Sequence, residues 1–285
     1  MKNAIILNGR KIADQIKNEL ANDVLNLKLN NIVPGLAVIL VGDDEASKLY
    51  VNSKEKMSSE LGINSVIKRL PETCSQAELQ DCIKQFNQNR NIHGILVQLP
   101  LPKHINPDDI MQSIEINKDV DCFHPYNYGK LLAGVPKIKS CTPAGIIELL
   151  KRYNVRISGE HCVIVGRSNI VGKPLASLMI LENATVTICH SYTQNIEFIC
   201  RQADILVSAV GQKNFVNSNF VKQGATVIDV GINRLNDTVT GDVNFKDVSQ
   251  IVKYITPVPG GIGPMTIIML MKNVIDSASR ISIHD

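Results

Sequence analysis

This chain of 285 residues has no tryptophan, and its other aromatic residues are only six tyrosines and six phenylalanines. Lys and Arg outnumber Asp and Glu by 30 to 27, and a net charge of +3 indicates no polyanionic partner. No basic run interleaved with aromatic residues is present, which argues against nucleic-acid binding. No apolar run reaches membrane length, and the apolar stretch after Met1 is too short for a signal peptide. We therefore expect a protein that binds neither nucleic acid nor membrane.

Cysteine pairs are also missing. The seven cysteines stand singly, at positions 74, 82, 122, 141, 162, 189 and 200, and none forms a C-x-x-C pair. Reduced, packed thiols are the expected state, which favours a cytoplasmic protein. The six histidines show no i,i+4 pair and no ligand spacing, so we expect no metal site.

What the chain does contain is an alternation of apolar runs and amphipathic segments. An apolar fraction of 44% can fill the cores of two domains or of one large domain. In the first half the pattern predicts helices over 10–28, from Asp43 or Asp44 to Leu61, and from the Ser75–Glu78 capping box to about Asn89, with a short one from Pro107. Strands are predicted at 36–41, 66–70 and 94–99, and a loop at 117–128. This βαβα order predicts a parallel sheet covered by helices.

The second half repeats the alternation. Thr142 with Pro143 is typical of a helix start, so a helix is predicted over 144–153. Strands are predicted at 162–165, 185–189, 204–209, 225–230 and 254–256, with helices at 173–182, 195–202, 217–222 and 265–279. Residues 233–243 are interpreted as a hairpin or extended arm, and 257–264, rich in Pro and Gly, as neither helix nor central strand. The expected fold is α/β with two domains, each a mainly parallel sheet.

The stretch Val163–Pro174, V-I-V-G-R-S-N-I-V-G-K-P, predicts a strand, a turn at Gly166 and a helix after Gly172. The N–H groups and positive end of such a helix bind phosphate. The spacing is G-x-S-x-x-x-G rather than G-x-G-x-x-G, and an ordinary βα turn is the alternative.

The same half indicates which dinucleotide would bind. An acidic residue at the end of the second strand would mark NAD, but the chain reads Cys189-His190-Ser191 there. Arg167 lies inside the glycine turn. A cation and a hydroxyl in place of the acid suit a 2′-phosphate, so NADP is favoured over NAD.

Four polar side chains of the first half follow predicted strands. Tyr50 and Lys54 share one helix face, and a desolvated lysine there can transfer protons near neutral pH. Gln98 ends the 94–99 strand and Asp121 follows it, and a carboxylate can hold the paired N–H donors of a heterocycle. The competing interpretations are a solvated helix face, a satisfied polar core group for Gln98 and a loop cap for Asp121. His124 is interpreted as a structural hydrogen bonder.

Taken together, these segments resemble the bifunctional methylenetetrahydrofolate dehydrogenase/cyclohydrolase family. The matching motifs cover almost the full length: Y-V-N-S-K (50–54), G-I-L-V-Q-L-P-L-P (94–102), K-D-V-D-C-F-H-P (118–125), C-T-P-A-G (141–145), G-R-S-N-I-V-G-K-P (166–174), V-I-D-V-G-I-N (227–233) and T-P-V-P-G-G-I-G-P-M-T (256–266). The resemblance implies two α/β domains with a cleft between them. Residues 1–140, completed by helix 265–285, would bind folate, and 141–264 would form a Rossmann-like NADP-binding domain.

The resemblance also implies the chemistry and its residues. Such enzymes oxidise 5,10-methylenetetrahydrofolate to 5,10-methenyltetrahydrofolate with NADP and hydrolyse it to 10-formyltetrahydrofolate, and a homodimer is expected, through the 233–243 arm. Lys54 would be catalytic, with Gln98 as its hydrogen-bond partner, and Tyr50 would position the folate. The remaining expected contacts are Asp121, Pro259, Gly260 and Gly261 for the substrate, and Gly166, Arg167, Ser168, Ser191 and Ile232 for NADP.

Two departures from the family pattern and three rival functions bear on this interpretation. Cys122 stands where the family more often has glycine, and Ser191 where other members carry arginine. A Tyr-x-x-x-Lys pair also marks short-chain dehydrogenases, but there the glycine turn precedes the pair. The second rival is a monofunctional dehydrogenase of the same family, and the third is a non-catalytic NADP-binding sensor.

Overall fold

The computed structural model describes residues 4–235 and 238–281, and within them the chain divides into two units. The three-stranded unit comprises Gln15–Cys141 and Ile267–Asp285, and the six-stranded unit comprises Met1–Asp14 and Thr142–Thr266. The strands are β1 (Ile5–Ile6), β2 (Gly35–Val41), β3 (Asn64–Leu70), β4 (Gly94–Val97), β5 (His161–Val165), β6 (Thr185–Cys189), β7 (Ile205–Ser208), β8 (Thr226–Asp229), β9 (Asn233–Leu235), β10 (Thr238–Thr240) and β11 (Tyr254–Ile255).

Helices connect most of these strands. They are α1 (Gly9–Leu29), α2 (Glu45–Leu61), α3 (Gln76–Gln88), α4 (Pro107–Ser113), α5 (Pro125–Leu132), α6 (Cys141–Arg152), α7 (Gly172–Leu181), α8 (Ile196–Cys200), α9 (Phe245–Val248) and α10 (Ile262–Ile281), with a 3₁₀ turn at Ser218–Phe220. In the part of the chain that the structure describes, no helix has both the length and the apolar character that a membrane crossing requires.

The three-stranded unit is built on β2, whose seven residues are all buried. β2 pairs in parallel with β3 on one side and with β4 on the other. Such an apolar run, covered on both faces, is typical of the centre of a parallel sheet. Two predicted helix boundaries are confirmed: the Ser75–Glu78 capping box opens α3, and Gly62, at φ 71°, ends α2.

The six-stranded unit holds one parallel sheet in the order β1-β11-β8-β7-β5-β6. From β5 the chain first builds β6 on one side and then crosses over to place β7 on the other side. The strand order therefore reverses between β5 and β7. In open α/β sheets the crevice at the carboxyl ends of two such strands is where ligands bind, and the predicted α/β class with two parallel sheets is confirmed.

Several local predictions were wrong. Residues 125–132 form α5 although 117–128 was predicted as a loop, because Pro125 occupies the first helical turn and His124 caps it, its Nδ1 accepting from the Tyr126 N–H. Helix α6 begins at Cys141, so Thr142 is inside the helix rather than its cap. Helix α10 begins at Ile262, since a proline such as Pro264 is tolerated in the first turn.

The structure contains a short N-terminal strand for which no prediction was made. Ile5 and Ile6 form β1, which pairs in parallel with β11, and this pairing accounts for the assignment of the first fourteen residues to the six-stranded unit. Two residues are too few for a strand signal in the sequence. The predicted hairpin is present as the antiparallel pair β9 and β10; residues 236–237, which join them, lie outside the described part of the chain.

Candidate functional site

Helix α2 of the three-stranded unit carries Tyr50 and Lys54 one turn apart. Lys54 is only 8% exposed, and its Nζ donates a hydrogen bond of 2.9 Å to Oε1 of Gln98. A buried lysine needs such a partner, because an unpaired ammonium group in the interior is costly. The structure thus brings together Lys54 and Gln98, as predicted. It also shows that Lys54 does not lie on a solvated face of the helix.

Gln98 follows β4 and is itself held in a single orientation. Its backbone N–H donates to Ile39 O at 2.9 Å, and its side-chain Nε2 donates to Leu99 O at 2.7 Å. With Nε2 committed to a carbonyl, Oε1 is the atom left to face Lys54. A carbonyl oxygen can accept from an ammonium or from a neutral amine, so Gln98 orients Lys54 in either protonation state.

Burial and charge act in opposite directions on Lys54 and Asp121. Burial lowers the pKa of Lys54 below its ordinary value, and the nearby Asp121 carboxylate partly offsets this. Burial likewise raises the pKa of Asp121, and the Lys54 ammonium partly offsets that. Desolvation is the larger cause for both groups, so the site is suited to proton exchange rather than to a permanent ion pair.

Two neighbours of Asp121 fix the loop that carries it. The buried Asp119 carboxylate accepts from the N–H groups of Phe123 and His124 at 3.1 and 3.0 Å, and from Asn127 Nδ2 at 2.9 Å. Lys118 Nζ donates to three carbonyls at the end of α3: Phe86 (3.2 Å), Asn87 (2.6 Å) and Asn89 (2.9 Å). The motif around Asp121 therefore contains structural charges as well as the candidate ligand.

Cys122, beside Asp121, adopts φ 62°, in the left-handed region that glycine enters most easily. Its side chain is fully buried, and burial raises the pKa of its thiol to about 12. This backbone conformation explains why glycine would suit the position. Cys122 nevertheless adopts it, so the substitution of cysteine for glycine does not prevent the left-handed turn.

Cys141, for which the sequence indicated no role, lies within reach of both Lys54 and Asp121. Burial, followed by the Asp121 carboxylate, raises the pKa of its thiol well above the ordinary value. Its Sγ donates to Val120 O at 3.4 Å, and Asn273 Nδ2 from α10 donates to the same carbonyl at 2.8 Å. Nothing in the sequence around Asn273 indicated this contact.

The six-stranded unit places Gly166 directly after β5, at the point where the strand order reverses. It has φ 124°, and a Cβ atom there would overlap the carbonyl of Ala209, which follows β7. Only glycine allows the two strand ends to approach this closely. Such a tight crevice, with backbone on both sides, fits the pyrophosphate of a dinucleotide.

The donors around this turn differ from the prediction. The hydroxyl of Ser168 accepts from Val171 N–H at 3.1 Å and from Gly172 N–H at 3.5 Å, and its carbonyl accepts from Lys173 N–H at 3.1 Å. Pro174 has no N–H. The N–H groups at the start of α7 that were expected to face an anion are therefore bonded within the turn itself, and Ser168 holds that turn.

The other predicted cofactor contacts are accessible. Arg167, Ser191 and Ile232 are all exposed, each in a segment that follows the carboxyl end of β5, β6 or β8. A cation after β5 and a hydroxyl after β6, with no acidic residue beside it, suit a phosphorylated ribose. The residues present therefore fit NADP.

Two buried aspartates, Asp229 and Asp242, shape the same edge of the sheet, and neither was predicted as a site residue. Asp242 is fully buried and accepts from Val210 N–H (2.8 Å), Gly211 N–H (3.2 Å), Gln212 N–H (2.9 Å), Ser208 Oγ (3.2 Å) and Asn233 Nδ2 (3.1 Å). It thus joins the segments after β7 and β8. Asp229 accepts from the N–H groups of Gly231, Asp242 and Val243.

A sequence signal for these aspartates does exist. A Cβ atom on Gly231 would overlap the Asp242 carboxylate, and one on Gly241 would overlap that of Asp229. Two glycines placed beside two aspartates in so short a segment indicate carboxylates packed on backbone, although spacing alone does not identify the donors.

The turn at 259–261 is ordered by contacts inside the six-stranded unit. Gly260 has φ 100°, and its carbonyl accepts from Arg10 N–H at 3.0 Å. A Cβ on Gly261 would overlap Pro257 O. Pro259 is exposed. The glycines are thus required by the turn itself, whatever ligand it faces.

A parallel sheet whose reversal point carries a glycine turn and an exposed cation defines an NAD(P)-binding unit, and the other unit holds a buried lysine typical of acid–base chemistry. Comparison with known proteins agrees. Residues 140–282 match the profile of the tetrahydrofolate dehydrogenase/cyclohydrolase NAD(P)-binding domain, and residues 7–121 match that of the catalytic domain. The chain belongs to the tetrahydrofolate dehydrogenase/cyclohydrolase family.

Individual relatives cover nearly the whole chain. The bifunctional protein FolD of Acetivibrio thermocellus is 54% identical over 96% of this chain and 97% of its own length. A FolD crystal structure from Campylobacter jejuni superposes with a TM-score of 0.95 at 46% identity, covering 97% of this chain and 99% of that one. The Trypanosoma brucei enzyme, solved with NADP and an inhibitor, gives a TM-score of 0.96 at 38% identity with full coverage of both chains.

Proposed function

We propose that this chain carries out both reactions of its family, and that Lys54 is the proton-transfer group of the second. The chain oxidises 5,10-methylenetetrahydrofolate to 5,10-methenyltetrahydrofolate with NADP and hydrolyses the product to 10-formyltetrahydrofolate. The observation that supports Lys54 best is its burial, which lowers its pKa, together with the 2.9 Å bond that orients it toward Gln98.

The hydrolytic step needs a base and then an acid. Water adds to the carbon between N5 and N10 of the methenyl cation, and the neutral amine of Lys54 takes the proton that the water loses. The resulting ammonium returns a proton to N5 as the N5–carbon bond breaks, and the hydroxyl on that carbon releases its remaining proton to solvent, which leaves the formyl group on N10. A group that performs both transfers works best when its pKa lies near the operating pH, and burial moves Lys54 in that direction.

Asp121 and Tyr50 hold the substrate in this proposal. A carboxylate accepts two parallel N–H donors, which matches the amino-pyrimidine edge of the pterin. Tyr50 lies on the same helix as Lys54 and positions the folate ring. Cys141 and Asn273 help to fix the backbone next to Asp121, because both donate hydrogen bonds to the Val120 carbonyl.

The six-stranded unit holds the cofactor in this proposal. Gly166 and Ser168 form the turn, Arg167 and Ser191 bind the 2′-phosphate, and Ile232 packs against the dinucleotide. NADP, when bound, supplies the hydride acceptor for the first reaction. The turn of Pro259, Gly260 and Gly261 contributes backbone to the substrate, and the predicted folate and NADP domains correspond to the two functions.

Two further properties belong to the same proposal. We expect a homodimer, with the β9–β10 arm as its contact, and light scattering on the purified protein measures its mass directly. All seven cysteines are free, buried thiols in the described structure, which supports a reducing compartment such as the cytoplasm.

The test of Lys54 is its replacement by methionine, which keeps the length of the side chain and removes the amine. Lys54→Met is expected to abolish methenyltetrahydrofolate hydrolysis, measured by loss of the methenyl absorbance, while NADP binding by calorimetry stays unchanged. Lys56→Met is the matched control, because Lys56 lies on the same helix with 79% of its side chain exposed. Full hydrolysis in Lys54→Met would remove Lys54 from the mechanism.

The same assay separates the rival functions. A monofunctional dehydrogenase would form NADPH from methylenetetrahydrofolate without hydrolysing the methenyl product. A non-catalytic sensor would bind NADP and do neither. The proposed function requires both activities in the unmodified protein.

A further inference from the structure

Tyr192 is an exposed aromatic side chain that contacts Arg167. It follows β6, next to the predicted phosphate ligand Ser191, and it is 80% exposed. Its ring lies against Arg167: the guanidinium Cζ is 5.7 Å from the ring centroid. A guanidinium at this distance over an aromatic face is attracted by the ring's quadrupole. The contact joins the segments after β5 and β6.

The loop of Tyr192 is held by its own hydrogen bonds. His190 N–H donates to Thr193 Oγ1 at 2.9 Å, and Thr193 N–H donates back to His190 O at 2.8 Å. Tyr192 N–H donates to Nδ1 of His190 at 3.2 Å, and the two rings meet edge to face with centroids 6.2 Å apart. These hydrogen bonds and the ring contact with His190 hold Tyr192 in the position in which it contacts Arg167.

We propose that Tyr192 strengthens the preference for NADP by positioning Arg167 for the 2′-phosphate, an inference that rests on the proposed function. A cation–π contact uses none of the guanidinium N–H donors as a hydrogen bond, so these donors remain available to bind a phosphate in a bidentate manner. An arginine already restrained by the ring loses less freedom when the phosphate binds. Tyr192 is therefore a positioning residue that acts through Arg167.

Other groups of the turn do not have this arrangement. Lys173, the other cation near the turn, donates from Nζ to Asn169 Oδ1 at 2.7 Å. Ser191 supplies a neutral hydroxyl. We therefore assign to Arg167 the distinction between a ribose with the phosphate and one without it. Tyr192, in the segment after β6, contacts its guanidinium.

A double-mutant cycle tests the inference in the full-length protein. Binding of adenosine 2′,5′-bisphosphate and of 5′-AMP is measured by calorimetry for the unmodified protein, Tyr192→Ala, Arg167→Ala and the double variant. These two probes differ in the 2′-phosphate. Tyr192→Ala is expected to weaken the bisphosphate by about two- to fivefold, the range of an exposed cation–π contact, and to leave 5′-AMP unchanged. In the Arg167→Ala background the same change is expected to have no effect.

Two controls accompany the cycle. Tyr192→Phe keeps the ring and is expected to bind both probes as the unmodified protein does. Phe198→Ala removes another exposed aromatic side chain of the six-stranded unit, 60% exposed, and is expected to leave both affinities unchanged. The unfolding midpoint in urea reports whether each variant is folded.

The outcomes separate this inference from the proposed function. Equal losses for both probes in Tyr192→Ala would make the ring a platform for adenine and overturn the inference, as would no loss at all or a loss that persists without Arg167. Equal losses for both probes in Arg167→Ala would instead refute the assignment of Arg167 to the 2′-phosphate, on which the proposed function relies.

Discussion

Lys54 lies where desolvation outweighs the attraction of a neighbouring carboxylate, and this balance has a consequence for the pH dependence of hydrolysis. Because the base is the neutral amine, kcat for methenyltetrahydrofolate hydrolysis is expected to fall as the pH drops through the lowered pKa of Lys54. Lys54→Arg keeps a charge that does not dissociate, and we expect it to be inactive at every pH tested. The measurement is a pH–rate profile corrected for the uncatalysed reaction.

Two results would contradict the role of the neutral Lys54 amine. A flat profile for the unmodified enzyme would show that no group titrates in the rate-limiting step. An arginine variant with the activity of the unmodified enzyme would show that the positive charge alone suffices. Lys56→Arg, on the exposed side of the same helix, controls for the added bulk of arginine.

The buried carboxyl group of Asp229 leads to a second prediction, on the pH dependence of stability. Burial raises its pKa to about 6, although three backbone N–H groups donate to it. A pKa raised above the unfolded value of about 3.9 means that the native state holds the proton more tightly, so this group's stabilising contribution is lost as the pH rises through 6. Between pH 7 and pH 5 the protein should gain about 1 kcal/mol from Asp229, since one pKa unit corresponds to about 1.4 kcal/mol.

This gain is measured by urea unfolding at both pH values. Asp229→Asn cannot titrate, so the difference between its pH dependence and that of the unmodified protein isolates the carboxyl group. The variant is expected to be less stable at both pH values, because an amide nitrogen meets backbone N–H donors. Identical pH slopes for the two proteins would contradict the raised pKa.

Among the elements, helix α3 ends on a buried lysine in addition to a local cap, in which the Asn89 N–H donates to Phe86 O at 3.2 Å. Lys118→Met removes the three bonds from Nζ to Phe86, Asn87 and Asn89, and it leaves their carbonyls without that donor. Bonds from a charged donor contribute more than neutral ones, so we expect the free energy of unfolding to fall by about 2 kcal/mol. Urea unfolding measures it, with Lys84→Met, an exposed site on α3, as the control. Equal effects of the two variants would show that Lys118 does not cap the helix.

Such contacts mark the limit of what the sequence could predict about elements. The ends of α2 and the start of α3 were predictable because Asp44, Gly62, Ser75 and Glu78 act on backbone groups within a few residues of themselves. The partners of Lys118 are distant in the sequence and are carbonyls, which every residue has. Helix α5 was missed for a related reason: its only start signal is a His-Pro pair inside a polar stretch.

The same distinction applies to the candidate site. The placement of Lys54 and Gln98 followed from two local patterns and the rule that ligand groups gather at the carboxyl ends of parallel strands. The roles of Asp242 and Asn273 did not, because each acts by joining segments that become neighbours only in the folded chain. The resemblance to a known family identified the motifs, but the donors and acceptors inside them came from the structure.

For the whole molecule, the distribution of these groups over two units predicts that the two activities are separable by mutation. The candidate hydrolytic groups lie in the three-stranded unit and the phosphate-binding groups in the six-stranded unit. Arg167→Ala is expected to raise KM for NADP in the dehydrogenase assay by about tenfold or more, the range of a lost charge-assisted bond, with a smaller effect on NAD. Hydrolysis of added methenyltetrahydrofolate in the absence of cofactor should stay within about twofold of the unmodified enzyme.

Lys54→Met is the reciprocal variant: hydrolysis is expected to be abolished, and the Kd for NADP is expected to stay unchanged. Each of the two variants should therefore keep the function that the other loses. An unchanged unfolding midpoint in each variant distinguishes the loss of a local contact from the loss of folding. Loss of hydrolysis in Arg167→Ala, or of NADP binding in Lys54→Met, with an unchanged unfolding midpoint would show that the two chemistries share groups that this assignment keeps apart.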